Sequence, residues 1–270
     1  MRFKHTLVIG DSENMEMLKD GSVGLVVTSP PYYQMRGELK YSNYDAYLEK
    51  MKNVFAEVYR VLRRGRICAV NVSSYTEDGV RYCIPAHFLV LLEGLGFTFC
   101  EEIIWVRPEG FVGAGGRRVG NVIQHPYPLY YYPNWLHETI WVVSKGDVKR
   151  GAKTQLGKLE DSVINIRKYI DYASTVWRIQ PASNHGHCAM FPNVLAHNLI
   201  VFYSYVGDVI LDPFVGSGTT MAEAKKVRRS SVGFEINGDY EALIKEKVGW
   251  LQTSFADEIE YEVIGGKNNE

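Results

Sequence analysis

Residues Val209–Thr220 read VILDPFVGSGTT, and this stretch decides the fold of the chain. An apolar, strand-like run ends at Asp212 and is followed by a turn containing Gly216 and Gly218, after which a helix begins. Glycines at a strand-to-helix turn let the backbone approach a ligand, and the first helical turn offers unpaired N–H groups. The stretch therefore predicts an α/β sheet that binds a nucleotide-like ligand at the carboxyl ends of its strands.

The same stretch differs from the two common phosphate-binding loops. No lysine follows the glycines as in a Walker A loop, and the third glycine of the dinucleotide fingerprint is missing. Asp212 and Glu235 end successive predicted strands, where a carboxylate can accept hydrogen bonds from ribose hydroxyls. Binding of a nucleoside is therefore favoured over binding of a phosphate, and a purely structural turn is the alternative.

Apolar runs on both sides of this stretch predict the rest of the sheet. Predicted strands cover Thr6–Gly10, Val23–Ser29, Ile67–Val72, Phe97–Val106, Thr139–Val143, Asp208–Leu211 and Ser231–Glu235. Predicted helices begin at Ser42 or Asn43 and run to Leu62, cover Pro85–Leu95, Asn193–Tyr203 and Ser217–Arg228, and begin again at Asp239. Alternating strands and helices predict a doubly wound, mostly parallel, Rossmann-like α/β sheet.

Residues 107–176 break this alternation and indicate an insertion, in which only 139–143 resembles a sheet strand. Between Lys145 and Arg178 there are eight Lys or Arg against four Asp or Glu. We predict contacts to nucleic-acid phosphates here, with a solvated surface as the alternative. The candidate residues are Arg117, Arg118, Lys149, Arg150, Lys153, Arg167, Lys168 and Arg178. Residues 253–270 are predicted to be an acidic tail.

A second motif, Thr28-Ser29-Pro30-Pro31-Tyr32, directly follows the predicted strand that begins at Val23. Two prolines fix the backbone and remove two donors, so neighbouring carbonyls can point outward. Ser29 adds a small hydroxyl, and Tyr32 adds a flat aromatic face at the ligand-binding edge of the sheet. A rigid loop with a core tyrosine is the alternative interpretation.

Together, TSPPY followed by DPFVGSGTT resembles the β class of amino-methyltransferases, in which the catalytic motif precedes the cofactor motif. Further similarity lies in VIGDSENMEMLKDGSVGLVVTSPPYY, HETIWVVSKG and VGFEINGDY. The resemblance implies a DNA methyltransferase fold that uses S-adenosyl-L-methionine and methylates an exocyclic amino group of a flipped base. It implies a catalytic half (1–106), a target-recognition region (mainly 107–176) and a cofactor-binding half (177–252).

The resemblance also assigns roles to individual residues. Its catalytic motif is Ser29, Pro30, Pro31 and Tyr32, where Tyr32 would stack on the base while Ser29 and the Pro30 carbonyl hold its amino group. Its cofactor residues are Asp11, Phe191, Asp212, Pro213, Phe214, Gly216, Ser217, Gly218, Thr219 and Glu235. Glu235 would bind the ribose hydroxyls and Asp11 would approach the adenine. The chain departs from the family at Cys188, where a proline is common.

Serine at the first position of this loop is linked chiefly to cytosine, and aspartate chiefly to adenine. We therefore predict N4-methylation of cytosine, with N6-methylation of adenine as the alternative. An RNA or protein amide methyltransferase would have Asn-Pro-Pro-Tyr and the opposite motif order, and a non-catalytic nucleic-acid-binding module is a third interpretation. Cytosine C5 chemistry needs a nucleophilic cysteine, usually after proline, and no cysteine here follows one.

Composition limits the remaining possibilities. Apolar residues make up 46% and charged residues 23%, the net charge is −1, and no run approaches the ~20 apolar residues of a membrane span. The N-terminus MRFKHTLVIGDSENM does not resemble a signal peptide, so we predict a cytoplasmic protein. The spacing of His185, His187 and Cys188 does not suit a metal. The predicted partner is double-stranded DNA, and a homodimer and a cognate restriction endonuclease are left open.

Overall fold

The computed structural model describes residues 1–34, 40–77, 79–107, 135–148, 160–181, 192–250 and 258–265. The strands are β1 (Arg2–Ile9), β2 (Val23–Thr28), β3 (Leu62–Val72), β4 (Tyr75–Glu77), β5 (Val80–Tyr82), β6 (Thr98–Val106), β7 (His137–Ser144), β8 (Val176–Arg178), β9 (Val209–Asp212), β10 (Ser230–Glu235) and β11 (Glu258–Ile264). The α-helices are α1 (Tyr44–Val61), α2 (Ile84–Gly94), α3 (Asn193–Tyr203), α4 (Thr219–Lys226) and α5 (Glu241–Val248). Short 3-10 helices cover Glu160–Ser162, Ile166–Tyr172 and Gly238–Tyr240.

Among the described residues, nine strands form one sheet in the order β11-β1-β10-β9-β2-β3-β7-β6-β8. Strand β7 is antiparallel to its neighbours β3 and β6, and the other neighbouring pairs are parallel. The predicted mostly parallel α/β sheet is therefore confirmed. We call the side where β1, β2, β3, β9 and β10 end the carboxyl edge, and the opposite side the amino edge. Because β7 runs in reverse, it begins at the carboxyl edge.

Both faces of the sheet are covered, which explains why its central strands are continuous apolar runs. All six residues of β2 are buried. One face packs on α1 and α2 through Phe55 and Phe88, and the other face packs on α3 through Leu199 and Leu195. Strands that are buried on both faces cannot alternate polar and apolar residues, so they read as unbroken hydrophobic segments.

Helix α1 shows how closely local sequence determines its element. Asn43 caps the helix, and its side-chain oxygen accepts a hydrogen bond from the Ala46 N–H at 2.8 Å. Tyr47, Met51 and Phe55 then lie buried along one stripe. The predicted start at Ser42 or Asn43 is confirmed, because an N-cap side chain followed by an apolar stripe is a strong local signal.

Two parts of the sheet differ from the prediction. The predicted acidic tail contains strand β11, which pairs in parallel with β1. Its acidic side chains meet basic ones on β1, with Arg2 to Glu260 at 2.8 Å and Lys4 to Glu262 at 2.9 Å. The sequence suggested a tail because this pairing joins the two ends of the chain. Strand β8 also extends the sheet beside β6, at the end of the predicted insertion, and buries Trp177.

Candidate active site

The carboxyl edge brings the two sequence motifs together, although 184 positions separate Thr28 from Asp212. Strands β2 and β9 pair in parallel, so both motifs leave the sheet side by side. The Thr28 hydroxyl donates a hydrogen bond to Asp212 Oδ1 at 2.7 Å, and both side chains are buried. This contact joins the Ser29–Tyr32 loop to the glycine-containing loop.

Both glycines of the loop after β9 adopt left-handed backbone conformations, with φ of +51° at Gly216 and +87° at Gly218. They differ in their surroundings. A Cβ at Gly218 would lie 3.1 Å from Ile244 Cγ2, so packing against α5 also favours glycine there. Among the described residues, a Cβ at Gly216 would have only the Phe214 carbonyl oxygen within 4 Å, at 3.9 Å. The backbone of Gly216 therefore faces space that a ligand could fill.

Glu235 ends β10 beside this loop and is 9% exposed. Its Oε2 accepts a hydrogen bond from the Gly216 N–H at 3.0 Å, and its Oε1 accepts one from the Asn237 N–H at 2.9 Å. Burial raises the pKa of this carboxyl, against the opposing effect of the backbone donors. Each oxygen is held in place and keeps further acceptor capacity, which fits the binding of two ribose hydroxyls.

Asp212, Pro213 and Phe214, which are also predicted cofactor residues, are packed within the protein. Asp212 Oδ1 accepts from the Phe214 N–H at 3.1 Å as well as from Thr28, and burial raises its pKa. Pro213 is buried beneath the loop. Phe214 is half-buried, with its ring centroid 6.4 Å from that of Phe55. The Asp212 side chain therefore holds the loop in place through its hydrogen bonds to Thr28 and Phe214.

Lys247 on α5 anchors the start of α4. Its ammonium donates to Ser217 Oγ at 2.8 Å and to Thr219 Oγ1 at 2.5 Å, and burial lowers its pKa. Sequence reasoning missed this lysine, since nothing distinguishes it from its neighbours on the helix.

Asp11, another predicted cofactor residue, follows β1 at the carboxyl edge and forms an ion pair with Lys50 at 2.6 Å.

The Ser29–Tyr32 loop is fixed by hydrogen bonds at three points. The Tyr32 hydroxyl donates to Glu138 Oε2 at 2.9 Å, and the Ser29 hydroxyl donates to the Asn71 carbonyl oxygen at 3.2 Å. The Tyr47 hydroxyl donates to the Pro31 carbonyl oxygen at 3.1 Å. Burial and the nearby Glu138 carboxylate raise the pKa of Tyr32 well above its ordinary range, so the hydroxyl stays protonated.

Glu138 is the centre of these contacts and was missed by sequence reasoning. It is 4% exposed and lies near the start of β7, between the ends of β3 and β6. Asn71 Nδ2 donates to its Oε2 at 2.5 Å, and the Arg107 guanidinium donates to its Oε1. The available signal was the segment HETIWVVS, in which a lone acid interrupts an otherwise buried strand.

The predicted DNA-contacting residues are only partly described. Arg178 is exposed and ends β8 at the carboxyl edge, where it is paired with Val106, the last residue of β6. Arg167 and Lys168 are exposed on the 3-10 helix whose Tyr169 packs on α3. These three residues therefore lie on two separate elements. Arg117, Arg118, Lys149, Arg150 and Lys153 lie outside the described residues, as does the predicted cofactor residue Phe191.

Metal-ligating clusters and membrane-spanning helices bear on the predicted partners. Within the described ranges, no three His, Cys, Asp or Glu side chains come together in a way that could hold a metal ion. His185, His187 and Cys188 fall outside those ranges. No helix in the described part of the chain has the length and apolar character needed to cross a membrane.

Known proteins share both the sequence and the fold of this chain. The profile of the DNA methylase family (N6_N4_Mtase) matches residues 23–246. The type II methyltransferase M.MjaI of Methanocaldococcus jannaschii is 28% identical, with 96% of each chain covered. M.SmaI of Serratia marcescens, also named a type II methyltransferase, is 25% identical with 90% of each chain covered.

Two solved structures are similar over most of the chain. TTHA0409 of Thermus thermophilus, in complex with S-adenosyl-L-methionine, has a TM-score of 0.73 and 27% identity, covering 94% of this chain and 99% of its own. The cytosine-N4-specific PvuII DNA methyltransferase has a TM-score of 0.68 at 22% identity, covering 90% and 87% respectively, and is similar in fold. With the profile match extending over most of its length, this chain belongs to the N6_N4_Mtase family of DNA methylases.

Proposed function

We propose that this DNA methyltransferase methylates the exocyclic N4 amino group of cytosine in duplex DNA. The observation that supports the choice of cytosine is Ser29 at the first position of the Ser-Pro-Pro-Tyr loop. Its neutral hydroxyl lies next to Thr28 and Asn71. Thr28 contacts the buried carboxylate of Asp212, and Asn71 contacts the buried carboxylate of Glu138. A third carboxylate at this position would add like charge to a buried site.

The methyl donor is S-adenosyl-L-methionine, the ligand present in the TTHA0409 structure. It supplies an activated methyl group bound to a sulfonium. On this chain, the loop from Phe214 to Thr219 would hold it, and the fixed carboxylate of Glu235 would accept from its ribose hydroxyls. The open space beside Gly216 and the remaining acceptor capacity of Glu235 fit these roles.

An exocyclic amino nitrogen is a poor nucleophile because its lone pair is delocalised into the ring. The Ser29 hydroxyl gives its hydrogen to the Asn71 carbonyl, and its oxygen accepts from Asn71 Nδ2 at 3.4 Å. One of its two acceptor lone pairs is therefore left for a substrate. We assign Ser29 Oγ and the Pro30 carbonyl as acceptors for the two amino hydrogens. Acceptors fixed in this way orient the nitrogen and favour the geometry that it needs for methyl transfer.

A base within a duplex cannot reach this edge of the sheet, so it must be flipped out at a cost of roughly a few kcal/mol. Stacking on the Tyr32 ring would return ~1–3 kcal/mol. Hydrogen bonding to Glu138 holds that ring in one place, so little conformational freedom is lost when a base stacks on it.

We propose that the basic residues at 117–178, including Arg178, contact DNA phosphates. Removing Arg117, Arg118, Lys149 and Arg150 together should weaken DNA binding and flatten its salt dependence, while cofactor affinity stays constant. An unchanged salt slope would mean that DNA binds elsewhere on the protein.

Relatives named type II methyltransferases support modification of a specific site, and another relative is named the orphan methyltransferase M.BamHII. A cognate endonuclease and a homodimer stay predictions.

The product tests this proposal. Genomic DNA from a host that expresses the chain is digested to nucleosides and analysed by mass spectrometry, and methylation-sensitive sequencing gives the site. N4-methylcytosine is expected. Label found only in N6-methyladenine would overturn the choice of base while leaving amino methylation in place.

The Ser29→Ala variant tests the role of the loop. Because it removes an acceptor needed in the transition state, we expect kcat to fall about a hundredfold while cofactor affinity is unchanged. Ser22→Ala is the matched control, since Ser22 lies at the other end of β2, at the amino edge. Equal activity of the two variants would remove Ser29 from the mechanism.

A further inference from the structure

Three donors converge on the buried carboxylate of Glu138, and they come from three different segments. Tyr32 belongs to the catalytic loop, Asn71 to the end of β3, and Arg107 follows β6. A carboxylate only accepts hydrogen bonds, so it alone among side chains of this size can satisfy such a set. Glutamine at this position would place its own donor among donors.

The orientation of the Asn71 amide depends on this carboxylate. Its Nδ2 lies 2.5 Å from Glu138 Oε2, and a flipped amide would set two acceptor oxygens against each other. In the observed orientation Nδ2 also donates to Ser29 Oγ at 3.4 Å, while Oδ1 is buried without a hydrogen-bond partner among the described residues. Glu138 thus determines which face the amide presents to Ser29.

The hydrogen of the Tyr32 hydroxyl is held in the same way. This hydroxyl donates to Glu138 Oε2 at 2.9 Å, the same oxygen that accepts from Asn71 Nδ2. Loss of the carboxylate would therefore release both the Tyr32 hydroxyl and the amide that contacts Ser29.

We propose that Glu138 is a positioning residue, which fixes Ser29 Oγ by turning the donor of the Asn71 amide towards it, and fixes the stacking ring by holding the Tyr32 hydroxyl. The proposal rests on the proposed function, in which Ser29 accepts from the base. Glu138 touches neither substrate nor cofactor in this scheme and acts only through Tyr32 and Asn71. Arg107 forms an ion pair with this carboxylate and so balances its buried charge.

Glu138→Gln tests the proposal, with Asp208→Asn as a matched control. Asp208 is likewise a buried carboxylate paired with an arginine, Arg66, but it lies at the amino edge. We expect kcat of Glu138→Gln to fall about ten- to a hundredfold, while the cofactor Kd measured by calorimetry stays within about twofold. Asp208→Asn should lose thermal stability and keep its kcat below its melting temperature.

A second variant keeps the test decisive if Glu138→Gln does not fold. Asn71→Ala leaves Tyr32 and Arg107 on the carboxylate and removes only the amide, so kcat should fall at constant cofactor Kd. The inference is overturned if the folded Glu138 or Asn71 variant retains kcat within about twofold of wild type. It is also overturned if Asp208→Asn loses kcat to the same extent.

Two controls separate this inference from general loosening and from the proposed function. In a double-mutant cycle, Glu138→Gln and Tyr32→Phe should not be additive, because one interaction is removed by either change. Additive losses would contradict action through Tyr32. The same digests identify the methylated nucleoside. If the proposed base is wrong, the identity of this nucleoside changes, but the ratio of variant kcat to wild-type kcat does not.

Discussion

The two edges of the sheet each bury a carboxylate that is paired with an arginine, and they use it differently. At the amino edge, Asp208 accepts from Arg66 at 3.3 Å and from the Tyr205 backbone N–H at 2.8 Å. Packing there is closed, since a Cβ at Gly24 would lie 2.7 Å from Asp208 Cβ. At the carboxyl edge, Glu138 accepts instead from side chains of the segments that form the site.

The carboxyl edge also leaves its other buried acids without counter-ions. Among the described residues, Asp212 and Glu235 accept only from hydroxyl and backbone donors, and burial raises the pKa of both. The amino edge brings arginines to its buried acid. We therefore expect charge at the amino edge to stabilise the fold, and we propose that acceptor capacity at the carboxyl edge serves ligands.

The largest expected effect concerns stability at the amino edge. Asp208→Ala removes the buried carboxylate that pairs with Arg66, and the free energy of unfolding should fall by about 3–5 kcal/mol in denaturant titrations. Asp20→Ala is the control, because Asp20 is an exposed acid whose pair with Arg60 is worth ~1 kcal/mol or less. The distinction between the edges breaks down if the folded Asp208 variant binds cofactor or methylates DNA poorly.

A smaller effect is expected for cofactor binding at the carboxyl edge. Glu235→Ala removes the charged acceptor for two ribose hydroxyls and the anchor of Gly216, so the cofactor Kd should rise about ten- to a hundredfold. Glu241→Ala on α5, which removes an ion pair with Lys245, should leave it unchanged. Calorimetry measures both values, and an unaltered Kd for the Glu235 variant would contradict this assignment.

DNA binding should distinguish the edges by salt dependence. Arg178→Ala removes an exposed cation at the carboxyl edge, and each lost phosphate contact lowers the slope of log K against log salt by about 0.9. Arg63→Ala removes an exposed cation at the amino edge and should leave the slope unchanged. Binding measured from low to moderate salt checks both, and a larger change for Arg63 would mean that DNA docks on the opposite edge.

Sequence predicted the fold best where local signals and burial agree. Asn43 with its apolar stripe indicated α1, and α3 lies where it was predicted. Strand β3 begins at Leu62, five residues before the predicted start, because Arg66 is buried against Asp208 and so hides the strand pattern. Strand β11 was missed for a similar reason, since its acids are paired across the sheet with distant bases.

The two motifs of the candidate site were predicted from the sequence, but the residues that hold them in place were not. Thr28 and Asp212 appeared as parts of separate motifs, and only the pairing of β2 with β9 shows their contact. Glu138 lies in β7, Asn71 lies in β3 and Arg107 follows β6, and local patterns cannot place these three residues together. Tertiary contacts of this kind join residues far apart in sequence, so no periodicity or spacing reports them.

The smallest expected effect is the pH dependence of cofactor binding, and it sharpens the contrast between the edges. Burial raises the pKa of Glu235 above the ordinary glutamate range, so the folded apo protein binds this proton more tightly than the unfolded chain does. The stability that Glu235 contributes is therefore present at low pH and lost as pH rises through its folded pKa. Cofactor binding should have the opposite slope, because accepting two hydroxyls requires the ionised form. Its Kd should roughly double, relative to high pH, at the pH that equals the raised pKa. Calorimetry of wild type and Glu235→Gln over a pH series isolates the effect, since the variant lacks the titrating group. Parallel pH profiles for the two proteins would show that Glu235 does not bind the cofactor as a carboxylate.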